Sequence, residues 1–438
     1  MKDFKYHLMV RNCRAIKAAD IDLSEITVLA GVNASGKSTI ARMFRDLVEL
    51  SAEYERLLAV QMWRVRLDIW RYAILGRAHL RAGNFPSPQK LSIVKALANG
   101  DYTFADAIGI LDEALQQLLL EGPGREKSYV VQRLRRMLDL KVEDGEELLD
   151  VFRTEAANTL AKFEKRKTNR SYLAYQELLQ GNPLMEGQIT LEEGAQTVFS
   201  NDNARDTLEE ISFIKRAIYI ESPFKSIPNV ISRTEINMGD EFTRVKEERG
   251  HTQVGSLSEL TDVLAGDVSF VKDFDEDESD EVRALLGHNG RWQYRRKDGK
   301  NFALDDCATG IRALSILNIL HSYGWLDAET LLVIDEPEAH LHPQWVVEYA
   351  RLLLLLSKRF KVRIVITTHS PDMVNAIHTI GMALGMGNDI GFYLAEGDDA
   401  EPYKYNYQAL GNKVGDIFKA YNVSFDRIDG YAKNGLFK

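Results

Sequence analysis

Residues 26–39 read ITVLAGVNASGKST: an apolar run that stops on a glycine, a short loop of small residues, and a Lys-Ser-Thr step into helical sequence. The run before Gly31 fits a buried strand, and Ser38 to Leu58 has the composition of a helix. A loop of the form G-x-x-x-x-G-K-[ST] between two such elements is built to hold phosphate. Its glycines let the backbone come close, its N–H groups turn inward, and the helix behind it presents a positive end. Gly31, Asn33, Ala34, Ser35, Gly36, Lys37, Ser38 and Thr39 are therefore the candidate phosphate-loop residues.

A second motif completes the chemistry. LLVIDEPEAHLHP, residues 331–343, is an apolar strand that ends abruptly in two carboxylates, Asp335 and Glu336. In open α/β sheets, ligands bind at the carboxyl ends of the strands, so these acids are expected beside the phosphate loop. The pair predicts an ATP site with magnesium. Lys37 would reach the β- and γ-phosphates, Ser38 and Asp335 would hold the metal, and Glu336 would orient or deprotonate the attacking water. His369, in VITTHSPDM, follows another apolar strand and is expected at the same sheet edge. The residues alone leave it two roles, contact with the γ-phosphate or catalytic water, and capping or packing; Ser370-Pro371-Asp372 marks a helix start.

The 438 residues are long enough for two or three domains, and 45% hydrophobic content supports packed cores. A formal net charge of -10 argues against wholesale coating of nucleic acid. Cys13 and Cys307 stand far apart with no second Cys or His at ligand spacing, so neither disulfides nor zinc is expected, and a cytoplasmic setting fits. The most apolar helical stretch, Leu57 to Leu75, is broken by Arg64, Arg66, Asp68 and Arg71, which predicts a soluble helix rather than a membrane span.

Three parts are expected along the chain. Residues 1–50 carry short β-rich runs and the phosphate loop. Residues 51–213 read as a helical insertion, with apolar residues at three- and four-residue spacing and breaks at 82–88, 122–124 and 181–183. Residues 214–438 return to alternating strands and helices, with IKRAIYIESP, a WQYRRKDGKNFAL hairpin, TLLVID, VRIVITTH and a last hairpin from IGFYLAEG to KYNYQAL.

The order of these features, a Walker A loop, a large helical insertion, Ala308-Thr309-Gly310, then IDEPEAHLHP and THSP, resembles the ABC-type ATPases of the structural-maintenance-of-chromosomes and recombination-repair class. Within that class it is most similar to the branch of overcoming-lysogenisation-defect ATPases and the ATPase subunits of two-gene phage-defence systems such as Septu and PARIS. The likeness covers residues 1–50 and 214–410. It implies an α/β fold of the ABC-type P-loop class, with a mainly parallel sheet, an N-terminal antiparallel subsheet and a large α-helical insertion. It also implies a homodimer or higher oligomer, arranged head to tail, in which Thr309 and Gly310 of one subunit meet ATP on the other. By the same resemblance Glu338 to His342 is the subunit-facing D-loop and His369 the switch histidine. Asp306-Cys307-Ala308-Thr309-Gly310-Ile311-Arg312 departs from the LSGGQ of transporters, and Thr309 also suits an ordinary helix cap.

The resemblance points to an ATP-driven switch in antiviral defence that controls a separate effector, a nuclease such as an HNH or Toprim-like protein, with a phage component as trigger. A DNA-repair or chromosome ATPase acting directly on DNA is the alternative. No intrinsic nuclease is expected, because about 70 residues follow His369 and a Toprim domain needs more. The acidic run 273–281, the basic clusters at Arg133, Arg135 and Arg136 and at 162–170, and the Trp63/Trp70 pair read best as solvated faces and helix packing.

Overall fold

Strands form where β-branched and apolar residues run together, and their ends fall where the turn residues stand. The computed structural model describes residues 5–70, 93, 97, 100, 102–120, 124–138, 145–168, 170, 186–202, 207–221, 258–271, 291–322, 324–339, 341–422 and 430–431. In chain order these give β1 (Tyr6–Cys13), β2 (Ile16–Leu23), β3 (Ile26–Gly31), α1 (Lys37–Met62), α2 (Phe104–Leu120), α3 (Gly124–Leu138) and α4 (Gly145–Thr168). There follow β4 (Gln188–Glu193), β5 (Gln196–Ser200), β6 (Thr207–Leu208), β7 (Arg216–Glu221), α5 (Ser258–Leu264), β8 (Gly266–Val271), β9 (Arg291–Arg296) and β10 (Asn301–Ala303). The last group is α6 (Thr309–Ser322), β11 (Thr330–Asp335), α7 (Pro343–Phe360), β12 (Arg363–Thr368), α8 (Pro371–Ala383), β13 (Ile390–Gly397), β14 (Tyr405–Gly411) and α9 (Gly415–Tyr421).

One eleven-stranded sheet organises the molecule, in the order β6-β5-β4-β1-β2-β14-β13-β3-β12-β11-β7. Its heart is parallel: β13, β3, β12, β11 and β7 run side by side in one direction. Every residue of β3 and β11 is buried, as near-continuous apolar runs covered on both faces require. The antiparallel pairs β1/β2, β1/β4 and β4/β5 extend the sheet on one side, and β8, β9 and β10 make a separate three-stranded sheet.

Alternation along the parallel strands divides the interior into two cores. Leu29, Leu331, Val333 and Val365 face α1 and the insertion helices, while Val28, Ala30, Leu332, Ile334, Ile364 and Ile366 face α6, α7 and α8. Hence the helix that starts at the phosphate loop and the helix that starts at Thr309 lie on opposite faces of the sheet.

Two features depart from the expected three-part division. Residues 188–208 form β4, β5 and β6 and join the main sheet beside β1, although they fall in the stretch read as helical. QITLEE alternates with period two and is followed by a turn at Gly194 and the β-prone QTVFS, a hairpin signal that the helical spacing upstream overshadowed. In addition, α1 runs unbroken for 26 residues through position 50 and continues into a π-helical turn, Trp63–Leu67. At 1.5 Å per residue this rod is about 39 Å long, so the phosphate loop is rigidly joined to the insertion.

Trp63 and Trp70 are fully buried, and the Trp70 indole donates to Glu155 at 2.9 Å, so both serve packing. Lys167 of the basic cluster pairs with Glu55 at 2.6 Å. Among the described residues no helix is long and apolar enough to cross a membrane. Cys13 is buried and Cys307 partly buried. The acidic run 273–281 and the breaks at 82–88 and 181–183 lie outside the described residues.

Candidate functional site

The loop between β3 and α1 is shaped by backbone conformations that side chains resist. Gly36 has φ 95°, and a Cβ there would lie 2.7 Å from Ile16 Cγ1; at Gly31 it would lie 2.8 Å from Ala395 Cβ. Only glycine fits both places. Ala34 adopts φ 64°, an αL conformation costly for a residue with a Cβ, which the loop imposes. Lys37 opens α1 as a buried residue, 3% exposed, and its ammonium donates to the carbonyls of Gly31 at 3.0 Å and Val32 at 2.9 Å. Burial lowers its pKa, and the field of Glu336, Asp335 and Glu338 opposes that shift.

Asp335, at the carboxyl end of β11, is the junction of the site. Its Oδ1 accepts from Ser38 Oγ at 2.8 Å and from the Thr367 hydroxyl, and its Oδ2 accepts from Tyr219 OH at 2.8 Å. These donors come from α1, β12 and β7, three elements that the parallel register brings together. β12 lies between β3 and β11, so Thr367 stands opposite both Leu29 and Asp335. Tyr219 is itself held by Arg42 Nε at 3.2 Å.

Glu336 has φ 50°, which costs a non-glycine residue about 1–2 kcal/mol. Its N–H compensates by donating to both the carbonyl and the hydroxyl of Thr367, each at 3.1 Å. This turns its carboxylate off the strand, toward His369, whose Nδ1 lies 3.4 Å from Glu336 Oε1 and 3.4 Å from Glu338 Oε1. Ser370 caps α8 by accepting from Met373 N at 3.3 Å, with Pro371 in the first turn, so capping falls to the serine and the His369 ring stays partly exposed.

The sequence pattern missed several members of this site. Glu338 is buried, and its Oε1 accepts from Thr368 Oγ1 at 2.7 Å and His369 N at 2.9 Å; its side chain turns inward. Tyr219, Thr367, Thr368, Tyr407 and Tyr421 also converge here. The polar Thr-Thr step ending the apolar β12 was a local signal, whereas the tyrosines come from distant elements with none. Thr309 and Gly310 stand elsewhere, at the start of α6, where a Cβ on Gly310 would lie 3.2 Å from the Trp345 ring.

The donor set fits a magnesium nucleotide. A loop closed to Cβ atoms leaves backbone N–H groups for phosphate. Ser38 and Asp335 offer adjoining oxygens. No group of three or more His, Cys, Asp or Glu side chains among the described residues could hold a metal, so a hard cation here would draw its other ligands from water and phosphate.

Residues 127–374, more than half the chain, match the AAA ATPase domain family. The chain belongs to that family. The matched span includes Asp335, Glu336 and His369, while the phosphate loop lies ahead of it. The ATPase is similar to an OLD nuclease of Thermus scotoductus, 22% identical over 390 residues that cover 83% of this chain and 58% of that protein. It is similar also to the Septu protein PtuA of Bacillus thuringiensis, 41% identical over 73 residues, 16% of this chain and 17% of that one. The chain thus spans less than two thirds of either relative. Both bear out the resemblance to the OLD and Septu branch that the motif order carried.

Among solved structures, an Smc head domain with an extended coiled coil bound to the C-terminal domain of ScpA, from Pyrococcus furiosus, aligns over 95% of this chain and 98% of that one, at 10% identity and a TM-score of 0.35. The SMC head domain of Thermotoga maritima aligns over 93% and 98%, at 11% identity and a TM-score of 0.34. The expected fold rests on the ATPase's own topology: strand, phosphate loop and helix at the centre of a parallel sheet, antiparallel strands at its side, and a helical insertion.

Proposed function

We propose that the ATPase binds and hydrolyses magnesium ATP at the loop 31–39 and the carboxyl ends of β11 and β12, and that this cycle drives assembly of two copies. The observation that carries the reading is the Asp335 carboxylate, which ties Ser38 of the phosphate loop to Thr367 of the switch strand. Ser38 and Asp335 would hold the magnesium, which would offset the charge of the phosphates. Lys37 exchanges loop carbonyls for the β- and γ-phosphates. Glu336, fixed by Thr367, orients the attacking water and takes its proton. His369, placed beside Glu336 by the Glu338 contact to its backbone, meets the γ-phosphate.

Thr309 and Gly310 lie across the sheet from α1, so they serve a second subunit's nucleotide rather than their own. With ATP between two heads, the N-terminus of α6 faces the phosphates. α1 passes the closure to the insertion, which engages a partner. By similarity to the Septu protein, the partner is a separate effector in antiphage defence, a nuclease of the HNH or Toprim-like kind.

The test uses Glu336→Gln protein with ATP and magnesium in analytical ultracentrifugation. A dimer that forms with ATP, not with ADP, and is lost in Gly310→Glu supports the reading; a monomer under all conditions sinks it. DNA binding that weakens steeply with salt and stimulates turnover would instead favour direct action on DNA.

A further inference from the structure

Two tyrosines outside every site motif, Tyr407 buried and Tyr421 partly buried, end their hydroxyls on the nucleotide site. Tyr407, on β14, donates to the carbonyl of Ser35 at 3.2 Å. Tyr421, at the end of α9, accepts the N–H of Gly31 at 3.0 Å and donates to the carbonyl of Thr368 at 3.1 Å. Burial raises both phenol pKa values, so each hydroxyl keeps its proton for donation.

The peptide group is planar, with its C=O and N–H on opposite sides. Holding the Ser35 carbonyl toward Tyr407 therefore turns the Gly36 N–H the other way, into the concave side of the loop. Gly36 at φ 95° has no side chain to resist rotation of that peptide, so an outside anchor is what selects one orientation. The Thr368–His369 peptide is held at both its polar groups: Tyr421 binds its carbonyl, and Glu338 accepts its N–H at 2.9 Å. The same Tyr421 hydroxyl grips Gly31, the first residue of the loop. One phenol thus ties the loop's start to the backbone that carries His369.

We propose that Tyr407 and Tyr421 are positioning residues of the ATPase, Tyr407 setting the phosphate-binding peptide at Ser35–Gly36 and Tyr421 registering the switch peptide at Thr368–His369 against the loop. The proposal rests on the nucleotide site assigned above and adds to it the segment 405–421, which no motif marks. The two roles separate kinetically. Loss of the Tyr407 hydroxyl frees a binding peptide and weakens the ground-state complex, and loss of the Tyr421 hydroxyl leaves binding and loosens the catalytic histidine.

The experiment compares Tyr407→Phe, Tyr421→Phe, Tyr393→Phe and Lys37→Ala with the unaltered full chain. Nucleotide affinity is read by calorimetry with ADP and ATP, turnover by phosphate release, and folding by thermal melting. Tyr393 is the control, a buried phenol on the adjoining β13 whose hydroxyl bonds the backbone of Asp22 away from the site. A buried hydrogen bond is worth about a tenfold change in an equilibrium or rate. Tyr407→Phe is expected to weaken ADP and ATP about tenfold, and Tyr421→Phe to lower kcat about tenfold with KM within about twofold. Tyr393→Phe changes neither. Normal affinity in Tyr407→Phe or normal kcat in Tyr421→Phe overturns the proposal, as does an equal loss in Tyr393→Phe. Undiminished ATP binding in Lys37→Ala overturns instead the underlying site assignment.

Discussion

Ser38 Oγ donates to Asp335 Oδ1 at 2.8 Å, joining residues 297 positions apart in the chain. The same carboxylate serves Thr367 and Tyr219, so it supports the fold as well as the proposed metal site. Asp335→Ala leaves three hydroxyls without their acceptor and is expected to cost about 3 kcal/mol in urea unfolding. Asp335→Asn keeps one carbonyl oxygen and costs less, but it weakens magnesium-dependent turnover as severely. Equal stability of the alanine variant and the unaltered protein would contradict the structural part of this role.

In the proposed mechanism Glu336 lends its side chain to the reaction and little to the fold. Glu336→Gln is expected to lower ATP turnover by about a thousandfold while ATP affinity stays within about threefold. Phosphate release and nucleotide titration on the same preparation check it, and intact turnover would remove Glu336 as the base.

Glu338 acts through the backbone of its neighbours. Glu338→Ala strips the acceptor from Thr368 Oγ1 and His369 N. The expected losses are about 2 kcal/mol of stability and a tenfold or larger drop in kcat, with KM nearly unchanged. Glu338→Gln, which retains a carbonyl oxygen, should recover part of both.

Gly36→Ala meets the Ile16 side chain at 2.7 Å and is forced to hold φ 95°. Strain of about 1–3 kcal/mol is released by reshaping the loop, so nucleotide binding falls more than thermal stability does. Pairing the substitution with Ile16→Ala should relieve the clash but not the strain, and restore affinity only in part.

Asp398, beyond β13, takes hydrogen bonds from Lys17 at 2.9 Å and Asn406 at 3.0 Å, which hold its carboxyl down at about 2. A depressed carboxylate stabilises the fold above its unfolded pKa, about 3.9, and the contribution fades as pH falls through about 2. The stability gap between the unaltered protein and Asp398→Asn is therefore expected to be full at pH 6 and to shrink between about pH 4 and pH 2. A gap independent of pH would assign it to something other than the charge.

The sequence by itself determined the parts of this protein whose signal is local. The apolar run into Gly31, the glycines and Lys37, the carboxylates closing β11 and the histidine after β12 each sit within about a dozen residues of the pattern that gives them away. Alternation and turn residues likewise marked the 291–303 hairpin and the β13–β14 hairpin. The assignment of residues 188–208 to the main sheet was different in kind, because the partner of β4 is β1, some 180 positions earlier, and pairing across that distance leaves no periodicity behind.

Only the tertiary structure decided who supports the site. Tyr219, Thr367, Glu338, Tyr407 and Tyr421 are ordinary strand, turn or helix residues until the parallel order of β3, β12 and β11, and the return of β14 and α9 across the loop, bring their polar atoms within hydrogen-bond reach. It likewise set Thr309 on the face of the sheet away from α1. A motif specifies what its own backbone can do, whereas the groups that hold that backbone in one orientation are chosen by packing, and packing is a property of the whole chain.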